Sequence, residues 1–363
     1  MILKIFLFWR LGLLAVTYIG SFTFPLIANS GLGSIGPGRQ FDYWASWAQW
    51  DGGHYFDIAR RGYLLNSDFA FFPVYPVLIR FFSLFLQNNY LISGLLISNI
   101  SFIIFLFIFY KFVKEKYSEN IAFYSTITFL VFPTTFFAVS YYSESVFLLL
   151  IAIVFVSLNN RKFLLASIAA SVASLTRSVG VFLAVSIAYS YFAKMKFQFR
   201  KISWQLLHIM VAFFGVILYG LYLFANFNAP LKFISVQSAW ERQVSDPIST
   251  IFSYIWTVFI GERRPVNDYF DLLLTLLFLT ILTVGVRKIS SSLWIFSMLV
   301  ILIPASTGTL TSMPRYLLAS LGVFVILGQY LDNKPKFRFV IWTVFLTLQA
   351  ILAVRFINGY WVA

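Results

Sequence analysis

Long apolar stretches set the first limit on what this chain can fold into. About 20 apolar residues in a row are enough to cross the hydrocarbon core of a bilayer as a helix. The chain has several such stretches, and only 11% of its residues are charged, against about 25% in soluble domains. A membrane barrel would instead show short segments of alternating polarity. The sequence therefore predicts an all-α polytopic membrane protein. We predict eleven transmembrane segments, at residues 5–28, 91–113, 121–139, 144–158, 163–176, 179–193, 204–225, 269–286, 292–305, 316–331 and 339–357.

The distribution of charge predicts how the chain is oriented. The loops predicted to face the cytoplasm, counted with Lys4 and Glu119, carry 15 basic and 3 acidic residues, a net of +12. The opposite side carries 11 basic and 10 acidic residues, a net of +1. This positive-inside pattern predicts a multi-pass protein of the plasma membrane with a cytoplasmic N-terminus. It also accounts for most of the formal charge of +14, so the charge does not indicate nucleic-acid binding. The cytoplasmic loops are 111–116, 159–162, 194–201, 286–288 and 332–338.

Two long stretches, 29–90 and 226–268, are too polar to span the membrane and too poor in basic residues for the cytoplasmic side. We interpret them as extracytoplasmic loops of a single integral-membrane domain that covers residues 1–363. Each loop contains a semi-apolar piece, 71–86 in the first and 249–260 in the second. Such pieces are typical of amphipathic helices that lie at the membrane interface.

The sequence lacks signatures of cofactors and metals. It contains no cysteine, which excludes disulfides, a thiolate nucleophile and cysteine metal sites. No histidine and carboxylate residues have metal-ligand spacing, and there is neither a P-loop nor a dinucleotide fingerprint. We expect no cofactor and no dedicated metal site, although a divalent cation stays open without support from the sequence.

The most polar passage of the chain lies in the first outer loop, at residues 44–63, WASWAQWDGGHYFDIARRGY. On a helix, one face of this passage would present Trp44, Trp47, Trp50, Asp51, His54, Tyr55 and Ile58. A carboxylate, an imidazole and a phenol set into an aromatic wall suit a sugar site with an acid–base group. Two other interpretations stay open. Tryptophans gather at membrane interfaces whatever the chemistry, and Asp51 suits a helix N-cap because Gly52 and Gly53 are poor helix formers.

Three further charged residues stand at the predicted outer ends of spans. Arg177 lies between two short apolar segments, where a charge either faces the bundle interior or snorkels to the interface. Arg315 follows Pro314 at a predicted helix start, where a bound anion would offset its conflict with the helix dipole. Glu144 either favours the dipole of its own helix or lines the site.

Together these residues predict transfer of a group from a phosphate donor embedded in the membrane. A carboxylate would take a proton from the acceptor hydroxyl, and the arginines would stabilise the leaving phosphate. The alternative is a flippase or transporter of lipid-linked sugars. That function needs polar groups throughout the bundle, and the inner half of this sequence holds few beyond its basic loops.

Four motifs occur in order along the chain. They are WDGGHY (50–55) with AFFPVYP (70–76), YSES (142–145), SLTRS (174–178) and MPRY (313–316). In order and membrane placement they resemble the motifs of the GPI mannosyltransferase 2 (PIG-V) family and its prokaryotic relatives, over roughly residues 45–320. The first-loop signature is the most specific of them.

The resemblance implies a GT-C fold with its site on the extracytoplasmic side. It implies a polyprenyl-phosphate sugar donor, typically mannose, a glycolipid or glycan acceptor, surrounding membrane lipids and inversion at the anomeric carbon. Asp51 in loop 29–90 is implied as the general base, and Arg315 as a contact of the donor phosphate. The other substrate-binding residues implied are Trp50, His54, Tyr55, Glu144, Arg177 and Tyr316. One departure stands out: many GT-C enzymes have two adjacent acids in this loop, whereas Gly52 follows Asp51 here. The sequence therefore does not predict a two-acid metal site at this position.

Overall fold

A computed structural model of the protein describes residues 1–29, 31–36, 38–198 and 204–362. Ser30 and Pro37 of the predicted loop 29–90, residues 199–201 of the predicted loop 194–201, and Ala363 lie outside the described residues. The described chain is helical and contains no β-strand, apart from one isolated bridge between Gly36 and Arg39. The predicted all-α class is confirmed.

Most of the α-helices follow one another with short connections, several of which contain a 3₁₀ turn, whereas the connection between α1 and α2 is long and covers 24–50. The α-helices are α1 (Ile2–Thr23), α2 (Asp51–Arg61), α3 (Val74–Ser83), α4 (Tyr90–Lys116), α5 (Glu119–Val131), α6 (Glu144–Asn159), α7 (Phe163–Ser174), α8 (Leu183–Lys194), α9 (Gln205–Val211), α10 (Phe214–Phe227), α11 (Lys232–Ser235), α12 (Pro247–Phe259), α13 (Val266–Val284), α14 (Ser291–Ala305), α15 (Met313–Leu317), α16 (Leu321–Leu331) and α17 (Pro335–Ile357). The 3₁₀ turns are Ala45–Ala48, Asn66–Ala70, Thr135–Val139, Ser178–Phe182 and Val236–Trp240.

Four of these helices are long and apolar enough to cross a membrane: α1, α4, α13 and α17. A fifth crossing is obtained if α10 and the segment Lys232–Trp240, which meet at 94°, count as one bent span. The other apolar helices have 10–17 residues each. The 12 residues of α7 measure roughly 18 Å, too short for a perpendicular crossing of the ~30 Å core. The chain is a multi-pass membrane protein, and the count of eleven crossings stays a prediction.

The chain divides into two compact units. The first consists of Met1–Leu149 and Gly328–Val362, and the second of Leu150–Leu327. In the first unit, the two ends of the chain pack together through polar contacts inside an otherwise apolar core. Trp9 Nε1 donates to Gln349 Oε1 at 2.7 Å, and Asn358 Nδ2 donates to the carbonyl of Gly20 at 3.2 Å. Buried polar groups need such partners, so these bonds fix the register of α1 against α17.

Arg10, a charged residue inside the predicted first span, has an aromatic and a polar partner in the first unit. Its guanidinium lies over the ring of Trp47 at 4.3 Å, and its Nε donates to Asn99 Oδ1 at 3.1 Å. A charge at membrane depth is costly unless it faces the bundle interior, and cation–π contact offsets part of that cost. Trp47 therefore contacts α1 near the middle of that helix. Tyr43 also contacts α1, since its hydroxyl oxygen is 2.8 Å from the hydroxyl oxygen of Thr17.

In the second unit, α12 has its polar side chains inward and its apolar side chains outward. Thr250, Tyr254 and Thr257 are buried, whereas Phe252 and Trp256 are exposed. An exposed apolar face on a short helix is typical of a helix that lies on a membrane surface. The predicted amphipathic helices in 71–86 and 249–260 thus exist as α3 and α12. Their location at the interface stays a prediction.

Candidate active site

The passage at residues 44–63 is not one continuous helix, so the predicted common face is wrong. A 3₁₀ turn covers Ala45–Ala48, Gln49 is extended, and α2 begins only at Asp51. The break changes the helical phase between the tryptophans and the polar residues. Trp44 is 56% exposed, whereas Trp47 is 0% exposed and packs in the core. The three tryptophans therefore do not form a single wall around Asp51.

The N-cap interpretation of Asp51 is wrong as well, because Trp50 occupies the cap position. Trp50 has φ 54° and ψ −116°, a conformation that L-residues rarely adopt. Such strain costs about 1–3 kcal/mol and persists only where the surroundings enforce it. Trp50 Nε1 donates to the carbonyl of Tyr360 at 3.2 Å, and its ring meets Trp361 edge-on at 5.1 Å. Asp51 is the first residue of α2, where the helix dipole stabilises its carboxylate.

The first unit brings two of the four motifs into contact. The amide of Tyr141 donates to the carbonyl of Trp47 at 2.9 Å, and the hydroxyls of Tyr55 and Ser143 are 2.8 Å apart in a buried position. Gly52 lies where a Cβ would be 3.3 Å from the carbonyl oxygen of Tyr141, so the close approach favours glycine. The segment WDGGHY is therefore packed directly against YYSES.

Glu144 follows Ser143 at this contact and is the first residue of α6. Its side chain is only 3% exposed. Burying a carboxylate is costly unless polar or charged groups compensate for it. The structure thus places Glu144 at a helix start, as one interpretation expected. It also places Glu144 next to Ser143, which contacts Tyr55 of α2.

The sequence interpretation missed Asp68, which is the partner of His54. His54 Nδ1 and Asp68 Oδ1 are 2.9 Å apart, and the imidazole stacks on Phe71 at 4.6 Å. Asp68 is 1% exposed, and its other oxygen accepts hydrogen bonds from the amides of Leu64 and Leu65. Burial alone would raise the pKa of Asp68, but the bonds from His54 and these amides hold that pKa below its ordinary value. Asp68 could have been identified from its position, because a carboxylate at the third residue of a helix start commonly accepts hydrogen bonds from nearby backbone amides.

Two other carboxylates of this region, Asp57 and Asp42, are engaged in local contacts. Asp57 pairs with Arg61 one turn along α2, and both side chains are substantially exposed. Asp42 accepts hydrogen bonds from the amides of Trp44 and Ala45. Within the described ranges, no group of three or more His, Cys, Asp or Glu side chains could hold a metal ion.

The second unit brings the other two motifs together. Arg177 lies in the break between α7 and α8, and its Cζ is 5.3 Å from the ring centroid of Tyr316. Gly180 lets this turn fold back, because a Cβ there would be 2.5 Å from the backbone of Ala173. Arg315 is 6% exposed within α15. The expected helix start at Pro314 is confirmed, although α15 ends at Leu317.

A third arginine, which the sequence interpretation did not select, completes this cluster. Arg242 lies in the second of the two predicted outer loops, 226–268, and its Nη1 donates to the hydroxyl of Tyr316 at 2.8 Å. Its Cζ is 5.6 Å from the same ring. The loop is held by backbone bonds from Gln243 to Thr307 at 3.0 Å and from Ser245 to Ser306 at 2.9 Å. Nothing local in the sequence WERQV marks this contact, since Arg242 and Tyr316 are 74 residues apart.

Comparison with known proteins gives one family match. The profile of the mannosyltransferase (PIG-V) family matches residues 38–261, more than half of the chain. The matched range includes Asp51, Glu144, Arg177 and Arg242 and ends before Arg315. No curated protein sequence matches the chain significantly.

Solved structures give a second comparison. The structure of ArnT from Cupriavidus metallidurans bound to undecaprenyl phosphate has a TM-score of 0.56 and 14% identity, covering 93% of this chain and 62% of that one. The apo state of the same protein has a TM-score of 0.54 and 14% identity, covering 93% and 61%. An oligosaccharyltransferase from Archaeoglobus fulgidus has a TM-score of 0.45 and 13% identity, covering 96% and 53%. This chain thus spans about three-fifths of the length of ArnT. The likeness to ArnT confirms the GT-C-type helical fold.

Proposed function

This chain belongs to the mannosyltransferase (PIG-V) family, and we propose that it transfers mannose from a polyprenyl-phosphate donor to an acceptor hydroxyl on the extracytoplasmic face of a membrane. The observation that carries the proposal is the family match over residues 38–261, which contains the first-loop segment with Asp51 at the start of α2. The acceptor is a lipid-linked or cell-envelope glycan.

The type of donor is supported by the fold and by the arginines. ArnT, whose fold this chain shares, was solved bound to undecaprenyl phosphate. A phosphate oxygen is best recognised by the planar fork of a guanidinium. Arg177 lies over the ring of Tyr316, and Arg315 precedes that residue in the chain. We assign Arg177, Arg315 and Tyr316 to the donor phosphate.

Asp51 is the proposed general base. It would accept the proton of the acceptor hydroxyl while the oxygen attacks the anomeric carbon, so that a single displacement inverts the sugar. Polyprenyl phosphate leaves with the electron pair of the broken glycosidic bond. A positioned base of this kind contributes about 10²–10⁴-fold to the rate. The enforced backbone at Trp50 supports the assignment, because strained residues cluster at functional sites.

The remaining side chains of α2 and α6 have supporting roles in this proposal. Trp50 and Tyr55 would pack against the sugars, with Tyr55 anchored by Ser143. His54, oriented by Asp68, would hydrogen-bond a sugar hydroxyl. The carboxylate of Glu144 would stabilise the positive charge that develops on the sugar ring in the transition state.

The direct experiment incubates the purified protein in detergent with labelled polyprenyl-phosphate mannose and a lipid extract. We expect a labelled product whose glycosidic linkage is inverted relative to the donor. The same protein in sealed vesicles tests the alternative of a flippase. Movement of the labelled donor across the bilayer without a product would favour the flippase and refute the proposal.

A further inference from the structure

Arg242 differs from Arg264, the other half-buried arginine of the second outer loop, in the nature of its partners. Its guanidinium contacts the hydroxyl of Tyr316 at 2.8 Å, Gln237 Oε1 at 3.4 Å and the carbonyl of Thr311 at 3.4 Å, all of which are neutral. Arg264, in the same loop, pairs instead with Asp268 at 3.2 Å. In the part of the chain that the structure describes, no carboxylate lies within ion-pair distance of Arg242.

Part of the Arg242 guanidinium is also buried without an acceptor. Its Nε is enclosed by protein and makes no hydrogen bond to any described residue. A buried donor without a partner costs free energy, more so when it carries charge. A positive group in such surroundings is stabilised by an anion that approaches its outer edge. Arg264 Nε is likewise buried without a partner, but its guanidinium has the ion pair with Asp268, whereas the described partners of Arg242 supply no counter-charge. This missing counter-charge gives Arg242 the character of a binding residue rather than of a structural ion pair.

The contact with Tyr316 gives this arginine a second function. Because the phenol oxygen accepts a hydrogen bond from Arg242 Nη1, its own proton is directed elsewhere. None of the described residues accepts that proton. Arg177 contacts the same ring at 5.3 Å. A ligand oxygen at this ring would thus meet an O–H donor that Arg242 has oriented.

We propose that Arg242 is a further anion-binding residue of this protein, which binds a phosphate oxygen of the polyprenyl-phosphate lipid directly and orients the Tyr316 hydroxyl toward the same phosphate. The proposal rests on the proposed function for the identity of the lipid. The phosphate carries one negative charge in the mannosyl donor, a diester, and up to two in the leaving polyprenyl phosphate. An additional guanidinium therefore stabilises the leaving group more than the bound donor.

The test measures equilibrium binding of undecaprenyl phosphate to the purified full-length protein in detergent. Three variants are compared with the wild type: Arg242→Ala, Arg242→Lys and Tyr316→Phe. We expect Arg242→Ala to weaken binding about 10- to 100-fold, as for loss of a hydrogen bond to a charged group. Arg242→Lys should weaken binding less than Arg242→Ala, because lysine keeps the positive charge and loses only the planar set of N–H donors. In the double variant Arg242→Ala with Tyr316→Phe the two losses should not add, because the orientation of the phenol depends on Arg242.

The matched control is Arg263→Ala, which removes one positive charge from an exposed position in the same loop. We expect it to bind undecaprenyl phosphate like the wild type. Undecaprenol, which has the same chain without the phosphate, should bind Arg242→Ala and wild type equally. Inorganic phosphate separates the lipid from the free anion: the proposal predicts weak binding of the free anion that Arg242→Ala weakens further.

Wild-type affinity for undecaprenyl phosphate in Arg242→Ala and Arg242→Lys would overturn the proposal, and so would an equal loss in Arg263→Ala. These outcomes are distinct from a failure of the proposed function. If the wild type binds undecaprenyl phosphate through Arg242 but transfers no mannose, the binding assignment holds and the transferase assignment fails.

Discussion

The hydrogen bond between Tyr55 and Ser143 joins α2, which carries Asp51, to the segment that precedes α6. The two hydroxyl oxygens are 2.8 Å apart, and both side chains are buried. Tyr55→Phe removes one hydroxyl and leaves the other buried without this partner, which costs about 1–3 kcal/mol of unfolding free energy. Ser143→Ala should cost a similar amount. Removing both hydroxyls leaves neither group unsatisfied, so the double variant should lose about 1–2 kcal/mol less than the sum of the single variants.

Unfolding in mixed micelles with increasing SDS measures these free energies for the wild type, both single variants and the double variant. Tyr110→Phe is the control, because Tyr110 makes its bond to Glu119 at the protein surface. It should change the unfolding free energy by no more than about 0.5 kcal/mol. If the two single losses add within about 0.5 kcal/mol, the bond does not couple α2 to the YSES motif and the reasoning is refuted.

Three further predictions concern other parts of the molecule. Arg315→Ala should raise the apparent KM for the donor about tenfold or more, and an unchanged donor KM in steady-state kinetics would refute its contact with the phosphate. Because the pKa of Asp68 is lowered in the fold, its carboxylate stabilises the protein above its unfolded pKa near 4, and this contribution is lost as pH falls through the lowered value. The stability difference between wild type and Asp68→Asn should therefore shrink on acidification, and thermal unfolding at a series of pH values checks this. Gly94→Ala would drive a methyl group into the ring of Tyr141 and should cost about 1–3 kcal/mol, whereas Gly12→Ala, with open space around it, should be neutral or stabilising.

The fold class could be predicted from the sequence because its strongest signal is compositional. Unbroken apolar segments such as 91–113 and 339–357 indicate helices whatever their neighbours, and both lie within helices that are long enough to span, α4 and α17. The number of crossings was harder to predict, because segments such as 163–176 form helices too short for a perpendicular crossing. Hydropathy alone does not show how such helices tilt.

The candidate site could be predicted only in part. Asp51 was selected as a carboxylate in a polar, aromatic-rich passage and Glu144 as a charge at the edge of an apolar segment, and both signals are local. The break at Trp50 has no local signal, since a tryptophan with positive φ is enforced by Tyr360 and Trp361 at the other end of the chain. Helical periodicity likewise does not reveal contacts between side chains that are far apart in the sequence.

Asp68 and Arg242 illustrate this second limit. In the sequence, each is a charged residue of a predicted outer loop without a distinguishing local pattern. The role proposed for each follows from one side-chain contact. Asp68 is 14 residues from His54, and Arg242 is 74 residues from Tyr316. A helical wheel compares only residues that share one helix, so neither pair could be found that way.

The central claim is that Asp51 is the general base of mannosyl transfer, and one comparison tests it most directly. The rate of transfer from labelled polyprenyl-phosphate mannose is measured for wild type, Asp51→Asn and Asp57→Asn, at matched protein level and helix content. Asp57 is the control because it lies on the same helix and pairs at the surface with Arg61. The account predicts a loss of about 10²–10⁴-fold in Asp51→Asn and a rate within about twofold of wild type in Asp57→Asn. Transfer by Asp51→Asn at the wild-type rate would contradict it.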